Sequence, residues 1–194
     1  MAKAHPMERA MLGAFADHIR EDGGGAVLEA GCGPGRITAY AHGLGLDIRG
    51  VDLSPVMVAL SRRTHPGLRF DVGSLTRLDA PDGGLAGLLA WYSLIHLPPA
   101  RVPAALAEFH RVLAPGGRLL LGFQAGEGVK RHEEAWGHRV ALDFHRISPE
   151  RIAGQLEEAG FEVTTRVFRE ALPTEAVAQA YVLARKREPG AGQG

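Results

Sequence analysis

The chain has 194 residues, with 22 Lys and Arg against 22 Asp and Glu, so its formal net charge is zero before nine histidines are counted. That balance excludes a dedicated polyanion binder, which gathers surplus basic groups on one face. With 45% hydrophobic and 23% charged residues, a chain that is mainly disordered is excluded as well. A chain of this length buries roughly 70% of its extended surface in one core. One domain over residues 1–187 is therefore expected, with a frayed tail at 188–194. The 26 Gly and 12 Pro are scattered between apolar segments and predict many turns. A single cysteine, Cys32, cannot form an internal disulfide, and no Cys/His spacing suits zinc, so a reduced, cytoplasmic setting and no metal are expected. The longest apolar run, residues 85–97, is broken by Ser93 and His96 and falls short of the roughly 18 residues of a membrane span. Residues 1–11 carry no charged-then-apolar leader pattern. Neither export nor a membrane partner is expected.

Along the chain, residues 7–22 place Met7, Ala10, Met11, Ala14, Phe15 and Ile19 at helical spacing, and Gly23-Gly24-Gly25 ends that helix. A short apolar strand follows at 26–30, then a glycine cluster and a helix over 36–42. A second strand is read at 47–52. Ser54-Pro55 supplies an N-cap and a first-turn proline for a helix to residue 65. Residues 68–72 read as strand, 73–84 as loop, and 85–92 as a strand covered on both faces. Pro98-Pro99 opens a helix to residue 113, and Pro115-Gly116-Gly117 turns the chain into a strand at 118–123. Ser148-Pro149 caps a helix ending at Gly160, and two last strands are read at 161–169 and 177–186. This alternation predicts an α/β, doubly wound, seven-stranded, mostly parallel sheet with one antiparallel C-terminal strand.

In such sheets ligands bind outside the carboxyl ends of the strands. The first such loop is Glu29-Ala30-Gly31-Cys32-Gly33-Pro34-Gly35-Arg36, whose glycines let the backbone approach a ligand closely. Cys32 lies within it as a small packing residue. About twenty residues on, Asp52 ends the second strand, where its carboxylate can accept both hydroxyls of a ribose. Together these predict a nucleoside-containing cofactor. A dinucleotide fingerprint would place its third glycine where Arg36 stands, and a long cationic side chain fits poorly where a helix presses on a strand. A nicotinamide-dependent oxidoreductase is accordingly the weaker reading.

Here the sequence resembles the class I S-adenosylmethionine-dependent methyltransferases. The resemblance rests on Val27-Leu28-Glu29-Ala30-Gly31-Cys32-Gly33-Pro34-Gly35, on Gly50-Val51-Asp52-Leu53-Ser54-Pro55-Val56-Met57, on Leu89-Ala90-Trp91-Tyr92-Ser93-Leu94-Ile95-His96, and on Arg111-Val112-Leu113-Ala114-Pro115-Gly116-Gly117-Arg118-Leu119. It implies S-adenosyl-L-methionine as cofactor and a small-molecule methyl acceptor, with no nucleic acid partner. It implies that Glu29 and the amides of Gly31 and Gly33 hold the methionine part, with Cys32 between them also in the cofactor site. Asp52 would take the ribose, and Leu53 and Met57 would flank the adenine. Ser74, with the amide of Leu75, stands where the family often has an acidic residue for the adenine amino group. Trp91 and Tyr92 would lie near the sulfonium, Tyr92 also facing the acceptor.

A sulfonium methyl is already activated, so a general base is needed only for an alcohol, a protonated amine or an acidic carbon. His96 is the first candidate, and it can equally serve as a loop cap. Residues 124–147, the least family-like stretch, are expected to form a substrate cover. They contain His132, Glu133, Glu134, Trp136, His138, Asp143, His145 and Arg146. His138 and His145 join His96 as candidate bases, and Trp136 as a pocket wall or lid anchor. A protein that keeps the cofactor site without methyl transfer, or uses it for another reaction, is the alternative function.

Overall fold

The structure, a computed structural model, describes residues 5–135 and 138–188, and within them the side chains of all but 132–142. The elements run α1 (Pro6–Glu21), β1 (Ala26–Ala30), α2 (Arg36–Gly43), β2 (Asp47–Asp52), α3 (Pro55–Thr64), β3 (Phe70–Val72), β4 (Leu85–Trp91), α4 (Val102–Val112), β5 (Leu113–Gln124), β6 (Val129–Ala135), β7 (His138–His145), α5 (Pro149–Glu158), β8 (Phe161–Arg169) and β9 (Gln179–Lys186). Seven strands form one sheet in the order β3-β2-β1-β4-β5-β9-β8. β9 runs antiparallel to both β5 and β8, and the pairings among β1 to β5 are parallel. The α/β doubly wound sheet with one reversed strand is thus present as expected. Among the described residues, no helix is long and apolar enough to cross a membrane.

The period of two along the strands builds the core. Leu28, Leu88, Ala90, Leu119, Leu121, Phe123, Ala180 and Val182 face α4 and α5 on one side. Their neighbours Val27, Leu89, Trp91, Leu120, Tyr181 and Leu183 face α1 on the other. α1 presents Met11, Leu12, Phe15, Ala16 and Ile19 to that second face, matching the spacing of its apolar residues. It lies close to β4 because residue 87 is glycine: a Cβ there would stand 2.8 Å from Phe15 and 2.6 Å from Ile19. A capping box starts the helix, His5 accepting from the Met7 amide at 3.1 Å and Glu8 accepting from the His5 amide at 3.2 Å.

Three local expectations are corrected. The helix expected from Pro98 instead begins as a 3₁₀ turn, Pro99–Arg101, and α4 starts at Val102. Pro103 has no amide hydrogen to donate, which suits a first helical turn and not a helix interior. β5 starts at Leu113, which pairs with Leu85 before an irregularity shifts the register to Gly87 opposite Arg118. Within 124–147 the chain forms an antiparallel hairpin, β6 with β7, separate from the main sheet. Its first strand reads Val-Lys-Arg-His-Glu-Glu-Ala, with no apolar alternation to reveal it. The hairpin is tied to the sheet at its base, where Ile147 donates to the Gln124 carbonyl at 3.0 Å and Ala125 to the Ala178 carbonyl at 2.9 Å. Of the tail at 188–194, only Glu188 is described; its carboxylate pairs with Arg185 at 3.2 Å.

Candidate active site

The glycine loop follows β1 at the carboxyl edge of the sheet. Gly31 adopts φ +80°, and a Cβ on it would stand 2.3 Å from that of Ser93. The loop can therefore pass under the turn after β4 only with glycine at this position. The amides of Gly31 and Cys32 both donate to the Val51 carbonyl, at 2.8 and 2.9 Å, which locks the loop onto β2. Cys32 is buried between Val58 and Phe70, and burial raises its thiol pKa well above the usual range, so it is a packing group and not a nucleophile.

Asp52 is the hinge of the site. One carboxylate oxygen accepts from the Gly33 amide at 2.8 Å and the other from the Ser54 amide at 2.9 Å. Each oxygen keeps a lone-pair direction free, and the residue is half-buried at the strand end. Beside it, Leu53 is 73% exposed and Val72, paired in register with Asp52, is 55% exposed. Two open aliphatic side chains flanking an acid at a strand edge suit a flat apolar ring attached to a diol. Met57 lies half-buried one turn into α3. Ser74 and Leu75 are also half-buried, and the Ser74 hydroxyl is engaged with the Thr76 hydroxyl at 3.1 Å. That loop is pinned by Arg111, which donates to the Leu78 and Ala80 carbonyls at 3.1 and 3.0 Å.

Glu29 lies beneath the glycine loop, 1% exposed, and accepts a hydrogen bond from the Thr38 hydroxyl of α2. Burial pushes its carboxyl up to about 8, against the opposing effect of the Thr38 bond. Trp91 is buried, its ring stacked on Tyr181 with centroids 5.3 Å apart and edge-on to Tyr92 at 5.8 Å. Tyr92 takes φ +54°, which turns its hydroxyl toward Glu8 and Tyr181, each 3.3 Å away.

His96 lies in a 3₁₀ turn after β4, its ring against Phe144 of β7 with centroids 4.7 Å apart. Partial desolvation lowers its pKa although the residue is exposed, and a hydrogen bond to the Asp143 backbone works the other way. His145 is close enough for its charge to act on His96, and its Nδ1 is buried without a partner. The hairpin thus brings His96 and His145 together. The side chain of His138 and the whole of Trp136 lie outside the described residues.

Next to Tyr92 is a cavity of about 430 Å³, lined by residues of α1, β5, the hairpin and the β8–β9 connection. Its wall includes Glu8, Gln124, Phe144 and Glu175, none of which sequence reasoning singled out. Gln124 had a legible signal, since it ends β5 at the ligand-binding edge; the others depend on contacts across the fold. Among the described residues, no group of three His, Cys, Asp or Glu could hold a metal ion.

The strand order and the loop–carboxylate hinge define a Rossmann-like protein of the methyltransferase type. Residues 27–117, a little under half of the chain, match the methyltransferase domain family and carry a class I S-adenosylmethionine-dependent methyltransferase domain. It is 29% identical over 126 residues to a malonyl-[acyl-carrier protein] O-methyltransferase of Serratia marcescens, covering 65% of this chain and 47% of that protein. The chain spans about half the length of the curated relatives it matches first. Among solved structures, a methyltransferase from Methanosarcina mazei superposes with a TM-score of 0.80 at 18% identity, over 96% of this chain and all of that one. A 1,6-didemethyltoxoflavin-N1-methyltransferase from Burkholderia thailandensis, solved with its acceptor and S-adenosylhomocysteine, superposes at 0.69 with 26% identity, over 92% of this chain and 79% of that one.

Proposed function

We propose that the protein transfers a methyl group from S-adenosyl-L-methionine to a small-molecule acceptor. The observation that carries this reading is Asp52, whose carboxylate joins the glycine loop to the end of β2 beside the open Leu53 and Val72. Asp52 takes the ribose hydroxyls. Leu53, Val72 and Met57 flank the adenine, with Ser74 and Leu75 at its polar edge. Glu29 and the Gly31-Cys32-Gly33 turn hold the amino-acid end. Because the Gly31 amide is already given to Val51 and the Gly33 amide to Asp52, the glycines act by shape and close approach more than as donors.

When bound, the cofactor supplies a sulfonium methyl that needs no further activation. Tyr92 forms the wall between cofactor and acceptor, and Trp91 fixes it through the edge-on contact. The hairpin is the acceptor-side cover, excluding water and holding the acceptor in line. His96 accepts a proton where the acceptor must lose one, since desolvation keeps its imidazole neutral near pH 7. His145 is the second candidate, and His138 and Trp136 complete the cover. On this proposal residues 1–187 act as one catalytic domain with 124–147 as its cover. A cavity of about 430 Å³ is of small-molecule size.

Calorimetry tests the reading. S-adenosylmethionine and S-adenosylhomocysteine are expected to bind and NAD not to. Asp52→Ala should weaken both by about tenfold or more, because two charge-assisted hydrogen bonds are lost. Unchanged affinity in that variant would remove the ribose from Asp52.

A further inference from the structure

The cavity beside Tyr92 has an uneven charge lining. Four charged side chains line it: Glu8, Lys130, Arg146 and Glu175. Both acids are engaged. Glu175 receives both Arg169 terminal nitrogens at 2.7 Å and the Leu172 amide at 2.9 Å. Glu8 accepts from the His5 amide and from the Tyr92 hydroxyl. The cations are not matched in the same way. Among the described residues, no carboxylate pairs with Lys130 or Arg146, and the Arg146 Nε is buried with no acceptor.

A guanidinium nitrogen taken out of water without a partner is costly, far more so than an exposed one. Its position is imposed by the fold: the Arg146 amide donates to the Gly128 carbonyl at 2.9 Å at the base of the hairpin, and its aliphatic stem lies beside Gly126. Lys130 enters from the opposite strand of the hairpin, at the position paired with Phe144. With Glu175 neutralised by Arg169, Lys130 and Arg146 together outweigh Glu8, so the lining carries a surplus positive charge. Phe144, between them, supplies an apolar wall and touches His96.

We propose that this cavity selects an acceptor bearing an oxyanion, a carboxylate or a phosphate, that docks on the Arg146 guanidinium with Lys130 as the second positive charge. It rests on the reading of this cavity as the acceptor site. A planar fork of N–H donors matches either oxyanion in two parallel hydrogen bonds, which also fixes the angle at which the rest of the molecule approaches Tyr92 and His96.

The test uses benzoate, phenyl phosphate and neutral benzamide as probes, titrated by calorimetry into the full chain saturated with S-adenosylhomocysteine. The Arg146 Nε–Hε resonance is followed in parallel. At least one anion is expected to bind about tenfold more tightly than benzamide and to shift that resonance, as a charge-assisted bond requires. Whichever anion binds tells carboxylate from phosphate. Arg146→Gln should erase the preference while leaving S-adenosylhomocysteine affinity unchanged, and Arg146→Lys should keep part of it. If Arg146→Gln does not fold, Lys130→Gln, on an exposed strand position, should still weaken the anion. Neither anion binding, benzamide binding equally well, or a preference that survives these substitutions would overturn the proposal. Loss of S-adenosylhomocysteine binding in the unaltered protein would instead strike the methyltransferase reading itself.

Discussion

Glu29 is a carboxyl group kept beneath the glycine loop, and its environment makes it sensitive to pH. Burial raises its pKa from 4.5 to about 8. Below pH 4.5 the acid is protonated in both folded and unfolded chains, and its contribution to stability is complete. Between 4.5 and about 8 the unfolded chain releases its proton first, so stability falls as pH rises and levels off above the folded value. Glu29→Gln mimics the protonated form, and its thermal unfolding is expected to lose that downward slope; the same slope in both proteins would place the titration elsewhere. His96 has the opposite kind of shift. Its pKa is lowered from 6.5, mainly by desolvation, so the neutral, proton-accepting form prevails at neutral pH. For an acceptor that must be deprotonated, turnover should rise with pH along a limb that lies below the titration of an ordinary imidazole. His96→Ala should abolish that limb and cut turnover by about a hundredfold or more, with cofactor affinity unchanged.

At the scale of elements, the active edge is assembled from turns that touch. The approach of the glycine loop to the turn after β4 is close enough that Gly31→Ala forces its new methyl group onto Ser93 while holding alanine at φ +80°. A loss of about 3 kcal/mol in urea unfolding is expected, together with loss of cofactor binding. Adding Ser93→Gly should recover part of the stability, because the steric contact goes and the backbone strain stays. Recovery of none of it would mean that strain alone sets the cost. The hairpin behaves differently. Among the described residues it shares no ladder with the main sheet, and its place over His96 depends on Phe144 and on the hydrogen bonds at its base.

For the molecule as a whole, α1 is both a structural cover and a wall of the site. Phe15 is fully buried against β4, while Glu8 at the other end of the same helix reaches Tyr92. Phe15→Ala removes a large, fully buried side chain from that face and should cost about 4 kcal/mol. For a chain of this size that is a fall of roughly 10 °C in Tm. A shift of a degree or two would show that the α1 interface relaxes around the gap.

The order of the main-sheet elements, the buried face of the first helix and the glycine loop followed by Asp52 were legible in the linear sequence. Periodicity and turn chemistry are local, and Glu29, Gly31 and Asp52 lie at strand ends that any doubly wound sheet brings to one edge. The hairpin was not legible, because β6, Val129–Ala135, carries polar groups at five of its seven positions and acquires strand geometry from its partner β7, His138–His145. Nor could spacing show that Glu8, Tyr92 and Tyr181, separated by more than eighty residues, share hydrogen bonds, or that Arg169 finds Glu175 while Arg146 pairs with no acid among the described residues. Sequence patterns determined the sheet and its loop-bearing carboxyl edge because those depend on neighbours along the chain. Charge pairing and the shape of the cavity beside Tyr92 were decided by packing, which alone sets which distant side chains meet.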